Sequence, residues 1–308
     1  MIVEFLSVAI GLVILIFAGD ALVKGAVNLA LRLGLPALVV SLTVVAFGTS
    51  APELLVSVKA ILDGVPGLAL GNVVGSNTAN VLMVLGIPAI IACLHTSACD
   101  TRRDYLYMAG ATVLFVAFCF TGTLVWWHGI VLLLALAGIL VATFLSSRGE
   151  VVEVEGAEDG LPGWKLGAFL ILGLIGLPLG ANLLVNGATN IARAYGVSET
   201  VIGLTLVAIG TSLPELATTV MAAIRRHADV ALGNVIGSNL FNLLGIMGVA
   251  VLVGPIPVDR TFLTLDLWIM VGATLMLVPF VFLRRDITRL WGVVLFGLYA
   301  AYLAVVLT

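Results

Sequence analysis

The sequence predicts an all-α membrane protein with ten transmembrane helices in two inverted-topology repeats of five. Three observations predict it. Of 308 residues, 61% are hydrophobic and only 10% charged, where soluble globular chains carry roughly 25% charged residues. Apolar runs long enough to cross a bilayer core, about 20 residues each, recur along the whole chain. Polar residues also recur in constant register, 162 positions apart, as Glu53 and Glu215 do.

Taken in order, charged or turn-rich breaks separate helices near 3–28, 36–60, 67–92, 105–121, 125–145, 165–191, 198–224, 229–253, 262–283 and 287–307. The run from Phe5 to Val23 reads as a retained span and not a secretory leader, because Glu4 stands where basic charge belongs and no small-residue cleavage pattern follows. The one sizeable polar stretch includes Glu150, Glu153, Glu155, Glu158 and Asp159. It reads as an acidic cytoplasmic linker, 146–164, between a first repeat at 1–145 and a second at 165–308.

The repeat itself needs no gap. Gly25, Asn28 and Gly34 fall on Gly187, Asn190 and Gly196, and Gly48-Thr49-Ser50 with Pro52-Glu53 falls on Gly210-Thr211-Ser212 with Pro214-Glu215. Downstream, Ala69 to Val73 matches Ala231 to Val235, Gly75-Ser76-Asn77 matches Gly237-Ser238-Asn239, and Asn80 falls on Asn242. Shared apolar composition does not place polar identities in register. Five helices per half send the second half into the bilayer from the opposite side, so the repeats are inverted.

Basic residues give the orientation. Arg32, Arg102, Arg103, Arg148, Lys165, Arg225, Arg226, Arg284, Arg285 and Arg289 collect on one face, and Lys59, Arg193 and Arg260 on the other. The rich face is cytoplasmic by the positive-inside rule, which puts both termini and the loop near Asp63 outside. Lys24 is expected to snorkel toward the cytoplasmic surface.

Composition and spacing exclude other classes. Basic residues are too few and scattered for a nucleic-acid surface, and no obligatory protein partner is implied. The cysteines, Cys93, Cys99 and Cys119, are odd in number and irregular in spacing, so no disulfide framework is expected. Cys93, His95 and Cys99 lack a fourth metal ligand nearby and read as loop residues, not a zinc site. Neither a metal-binding histidine set nor a nucleophile beside a base is evident, so the chain is not expected to be an enzyme, and no cofactor is expected.

Glu53 and Glu215 lie near the middle of apolar runs, where an ionisable group marks function by default. Pro52 and Pro214 precede them and are expected to kink or break each helix. Backbone released at membrane depth is tolerated where it lines a cavity or holds an ion, and the carbonyls of Ala46 and Ala208 are the expected ones. Thr49 and Ser50 precede Glu53 by one turn, and Ser76 and Asn80 share a helix face. Thr211, Ser212, Ser238 and Asn242 repeat the set. Every candidate ligand is an oxygen, which suits Ca2+ and Na+ over zinc or copper, and Mg2+ less well because it dehydrates reluctantly. Asn72, Asn77, Asn234 and Asn239 are expected to brace the ligands. Gly71, Gly75, Gly86, Gly233, Gly237 and Gly248 are expected to allow close packing.

At these motifs the chain resembles the cation/calcium exchanger superfamily, and within it prokaryotic sodium/calcium exchangers. The resemblance rests on two G-T-S-x-P-E stretches, each followed by G-N-x-x-G-S-N. It implies a multi-pass protein of the prokaryotic plasma membrane, with four cation sites clustered between the second, third, seventh and eighth helices. Glu53 and Glu215 would be the shared central ligands. The implied activity is Na+/Ca2+ antiport by alternating access. H+- or K+-coupled exchange of Ca2+ or another divalent ion, and a passive channel, stand as alternatives. One position departs: Asn242 stands where the archaeal exchanger pattern has aspartate, so the two glutamates supply a site charge of −2.

Overall fold

The computed structural model describes residues 2–147, 161–196 and 208–307. Most of the expected linker, Arg148 included, and the start of the helix expected over 198–224 lie outside these residues. The first element, α1 (Ile2–Leu33), is a 32-residue helix. A broken pair follows, α2 (Ala37–Thr49) and α3 (Ala51–Leu62), bent by 43°. Then come α4 (Pro66–Ile91), α5 (Arg102–Cys119), a two-residue strand β1 (Thr123–Leu124), α6 (Trp126–Ser146) and α7 (Gly163–Ala194). The rest comprises α8 (Ala208–Thr211), α9 (Leu213–Ile224), α10 (Ala228–Val253), β2 (Ile256–Pro257), α11 (Phe262–Phe282) and α12 (Arg289–Leu307).

Among the described residues, seven helices are long and apolar enough to cross a membrane, and the bent pair makes an eighth. Expected spans at 105–121 and 198–224 are not among them. The first is represented by α5, which opens on Arg102, Arg103 and Asp104, and the second is described only from Ala208. Helix α1 also runs past its expected end at 28, since nothing between Asn28 and Leu33 breaks a helix and Gly34, at φ +63°, ends it.

Burial sorts the helices. The most apolar windows of α4 and α10 are 78% buried, whereas those of α1, α6 and α7 are 22% buried and that of α12 is 17% buried. The inner pair carries the polar motifs. The outer helices present Phe5, Ile10, Phe17, Leu134 and Ile171 outward, as lipid-facing surface does.

Helices α1 and α7 lie against each other along their length and run antiparallel: Gly187 faces Glu4, Gly180 faces Gly11, Gly173 faces Leu22, and Gly163 faces Arg32. Glycine at these crossings lets the backbones approach; a methyl group added at Gly11 would stand 2.7 Å from the Gly180 carbonyl oxygen. The same role holds for Gly86, Gly233, Gly237 and Gly248, whose added Cβ atoms would meet Gly292, Leu38, Leu42 and Leu133, but not for Gly71 and Gly75, which face open space where close packing was expected.

Two small ties fix opposite ends of α5. Antiparallel β1 and β2 pair Thr123 with Pro257 beyond its C-terminus, and Leu94 bridges to Ile287 ahead of its N-terminus. The second end gathers basic residues: Arg102 donates to the Phe282 carbonyl at 3.4 Å, and Arg103 donates to the Ser146 hydroxyl. Lys24 pairs with Asp20 at 3.1 Å, and Asp20 also pairs with Arg225. Lys24, expected to snorkel toward the surface, is part-exposed and also paired with a carboxylate.

Candidate functional site: a membrane-depth cluster of oxygens

The breaks fall at Ser50 and Ser212. Each residue leaves helical geometry in nearly the same way, with φ/ψ of −83°/5° and −86°/2°. A new helix starts at once, and Pro52 and Pro214 occupy its first turn, where a missing N–H costs nothing. Glu53 and Glu215 therefore stand in first turns, with unpaired N–H groups and the positive end of the helix dipole beside them. Both are 1% exposed, and Ser50, three residues before Glu53, reaches Glu215 Oε1 at 3.1 Å.

Local bonds aim these side chains. Asn72 donates to the Glu53 carbonyl at 3.2 Å and to the Ser57 hydroxyl at 3.0 Å. Asn234 does the same in the second half, donating to the Glu215 carbonyl at 3.3 Å and to the Thr219 hydroxyl at 3.0 Å. Ser57 and Thr219 occupy corresponding positions. Sequence reasoning missed them because a serine facing a threonine breaks the identity of the repeat. The bracing expected of Asn72 and Asn234 is present. Asn239 likewise touches a candidate ligand, accepting from Asn80 at 3.1 Å, whereas Asn77 bonds the Val73 carbonyl of its own helix.

The two halves meet across the cluster. Ser50 donates to Glu215 Oε1 at 3.1 Å, and Thr49 Oγ1 lies 3.4 Å from Asn234 Oδ1 and 3.3 Å from the Ala46 carbonyl. The Ala46 carbonyl also accepts the Ser50 N–H at 3.0 Å. It is therefore not released by the break as expected, and offers an ion a lone pair only when the Thr49 hydroxyl turns to Asn234. Pro52 and Pro214 offer no N–H to the carbonyls of Gly48 and Gly210, which sequence reasoning did not name. Ala208 begins α8.

Further buried polar atoms on these helices lack protein partners. Among the described residues, Oε2 of Glu53 and of Glu215, Oδ1 of Asn80, Oγ of Ser212 and of Ser238, and both amide atoms of Asn242 are buried and unpaired. Buried polar atoms are normally satisfied, and the oxygens named here are all on the two motif-bearing stretches of each half, with neither thiol nor imidazole among them. Ser76 is buried on α4, whereas Thr211 is half-buried on the wall of a recess.

Asn80 and Asn242 each sit in a π-helical stretch, Asn80–Val84 in α4 and Phe241–Ile246 in α10, and a third stretch, Ser41–Val45, lies in α2. Such wide turns concentrate at functional sites because they re-aim a side chain inside an otherwise regular helix. An apolar recess of about 370 Å3, lined by Pro52, Leu55, Pro178, Gly210 and Thr211, adjoins one side of the breaks. A second, of about 160 Å3, lies between Ser50, Leu54 and Phe241.

Known proteins share this architecture. The family model described as sodium/calcium exchanger protein matches residues 3–145 and again 165–308. The chain is 34% identical to the sodium/calcium exchanger MaX1 of Methanosarcina acetivorans, over 98% of each chain. It is 36% identical to the inner membrane protein YrbG of Escherichia coli, over 81% of this chain and 80% of that one. Solved structures of the sodium-calcium exchanger NCX_Mj, soaked without Na+ and Ca2+ or with 10 mM Na+ and 10 mM Sr2+, superpose with a TM-score of 0.86 at 32% and 33% identity, covering 98% or more of both chains.

Proposed function

This chain belongs to the sodium/calcium exchanger family, and from that premise we propose that it exchanges Na+ for Ca2+ across a prokaryotic plasma membrane by alternating access. The observation that carries the proposal is the buried, unpaired oxygen set around Glu53 and Glu215. Two carboxylates at membrane depth are costly when uncompensated, and one Ca2+ balances both. Na+ is close to Ca2+ in size and accepts the same hard oxygens, so each ion displaces the other. A site that resists closing while uncompensated couples the two fluxes.

The ligand set is Glu53, Glu215, Thr49, Ser50, Ser76, Asn80, Thr211, Ser212, Ser238 and Asn242 with the carbonyls of Ala46 and Ala208. Cross-repeat contacts from Ser50 to Glu215 and from Thr49 to Asn234 support it. The arrangement is ten crossings in two inverted repeats, 1–145 and 165–308, joined by an acidic cytoplasmic linker at 146–164. Three features support that reading: the family model matches twice, α1 and α7 are antiparallel, and the Asn72–Ser57 and Asn234–Thr219 pairs correspond. The basic-rich end faces the cytoplasm and both termini lie outside, on the charge asymmetry of the loops. In this reading α1 and α7 shift together against the inner helices.

Competition at one site is directly measurable on purified protein. Radiolabelled Ca2+ bound at equilibrium should be displaced by Na+, and E53Q or E215Q should abolish the binding while the protein keeps its elution volume and helical circular dichroism. Ca2+ binding indifferent to Na+, or intact in both variants, contradicts the proposal.

A further inference from the structure

Outside the membrane-depth cluster, the turn after α4 and the turn before α12 are knitted together at the basic-rich end. Leu94 and Ile287 exchange backbone hydrogen bonds at 3.1 Å each, and the Thr96 hydroxyl donates to the Arg285 carbonyl at 2.7 Å. The Ser97 N–H donates to Asp286 Oδ1 at 3.0 Å, and His95 Nδ1 stands 3.0 Å from Asp286 Oδ2. This knitting brings Asp286, 191 positions from His95 in sequence, into a group the sequence left incomplete. One ligand atom each from Cys93, His95 and Asp286 now lies within 4.8 Å of the others.

We propose that Cys93, His95 and Asp286 form a second cation site, for a borderline-soft divalent ion of the zinc class, with its remaining coordination open to water. Thiolate, imidazole and carboxylate are the zinc ligand types, and on one tetrahedral ion they stand about 3.3–3.8 Å apart. The observed spread closes by about 1 Å, a movement available to side chains that are half-buried or exposed on a turn. The chemistry is opposite to that of the oxygen cluster, so the two sites select different ions. Binding releases the Cys93 thiol proton to solvent, as metal capture by cysteine does. The Asp286 carboxylate is oriented by the Ser97 N–H and the His95 ring. The site would clip together two turns whose helices, α4 and α12, already pack where Gly86 meets Gly292. Thermal stability is the property it should change.

The test uses the full chain purified in detergent, stripped with chelator, and carrying E53Q to silence the oxygen cluster. We expect one Zn2+ retained per chain by elemental analysis, a rise in Tm on adding Zn2+, and a thiolate-to-metal charge-transfer band when Co2+ is substituted. C93S and D286N should each lose the retained Zn2+ and the Tm rise, while C99S keeps both, because Cys99 lies outside the cluster. Alkylation of Cys93 in the wild-type chain, mapped by mass spectrometry, should slow at least tenfold with Zn2+ and supplies a readout that needs no variant. Zn2+ retained equally in C93S and D286N, no Zn2+ retained at all, or unprotected Cys93 overturns the proposal.

Discussion

Asn234 shows how much of the site's geometry rests on a residue that need not touch an ion. Its amide donates to the Glu215 carbonyl and the Thr219 hydroxyl and can accept from Thr49, so one buried side chain links the two halves. Asn234→Ala removes both donated bonds while Thr219 still donates to the Glu215 carbonyl and Thr49 to the Ala46 carbonyl; it should cost about 1–3 kcal/mol, measurable as a lower Tm, and should weaken Ca2+ affinity because the Glu215 turn loses its tie to α10. Ser50→Ala tests a narrower contact. Removing the 3.1 Å bond to Glu215 Oε1 should weaken ion binding several-fold with little change in Tm, since a hydroxyl bond contributes about 1 kcal/mol net. The two glutamates were legible in sequence because a charge amid apolar residues has few bland explanations. Ser57 and Thr219 were not, since a hydroxyl in a membrane helix most often serves its own backbone, as Thr218 does toward the Pro214 carbonyl.

At the scale of elements, the proline breaks were readable and the π-helical turns were not. Pro52 and Pro214 leave a covalent signature, a missing donor. The wide turns at Asn80–Val84 and Phe241–Ile246 arise from packing among the inner helices, and no residue type demands them. The close approach of α10 to α2 was legible only as a glycine whose neighbour was unknown. Gly237 turns out to face the Leu42 carbonyl and the Ala46 methyl, which an added Cβ would meet at 2.3 and 2.6 Å. Gly237→Ala should therefore cost about 1–3 kcal/mol through overpacking. It should also depress transport more than stability explains, because α2 carries Ala46, Thr49 and the break. Equal transport in this variant, at unchanged expression, would separate α2 placement from function.

For the whole molecule, the 162-residue register was the most informative feature of the sequence, because it demanded a pair of equivalent breaks facing each other, and Ser50 does meet Glu215 across the halves. It could not supply the asymmetry of the site: Ser50 bonds Glu215, whereas among the described residues Ser212 Oγ has no partner. The net charge of the two loaded forms follows from the same residues. In the proposed site, with Asn242 unable to ionise, one Ca2+ would neutralise the two glutamates and any Na+ load greater than two would leave a positive charge.

Coupled exchange at a shared two-glutamate site is read out by flux under opposed gradients. The chain is reconstituted into proteoliposomes loaded with Na+ and diluted into Na+-free medium containing radiolabelled Ca2+, then the arrangement is reversed, with K+ and H+ gradients as parallel arms. The account predicts that Ca2+ accumulates against its own gradient when Na+ runs outward, leaves when Na+ runs inward, and does neither in E53Q or E215Q. Ca2+ movement that follows only its own gradient, whatever the direction of Na+, would contradict it and identify a passive pathway.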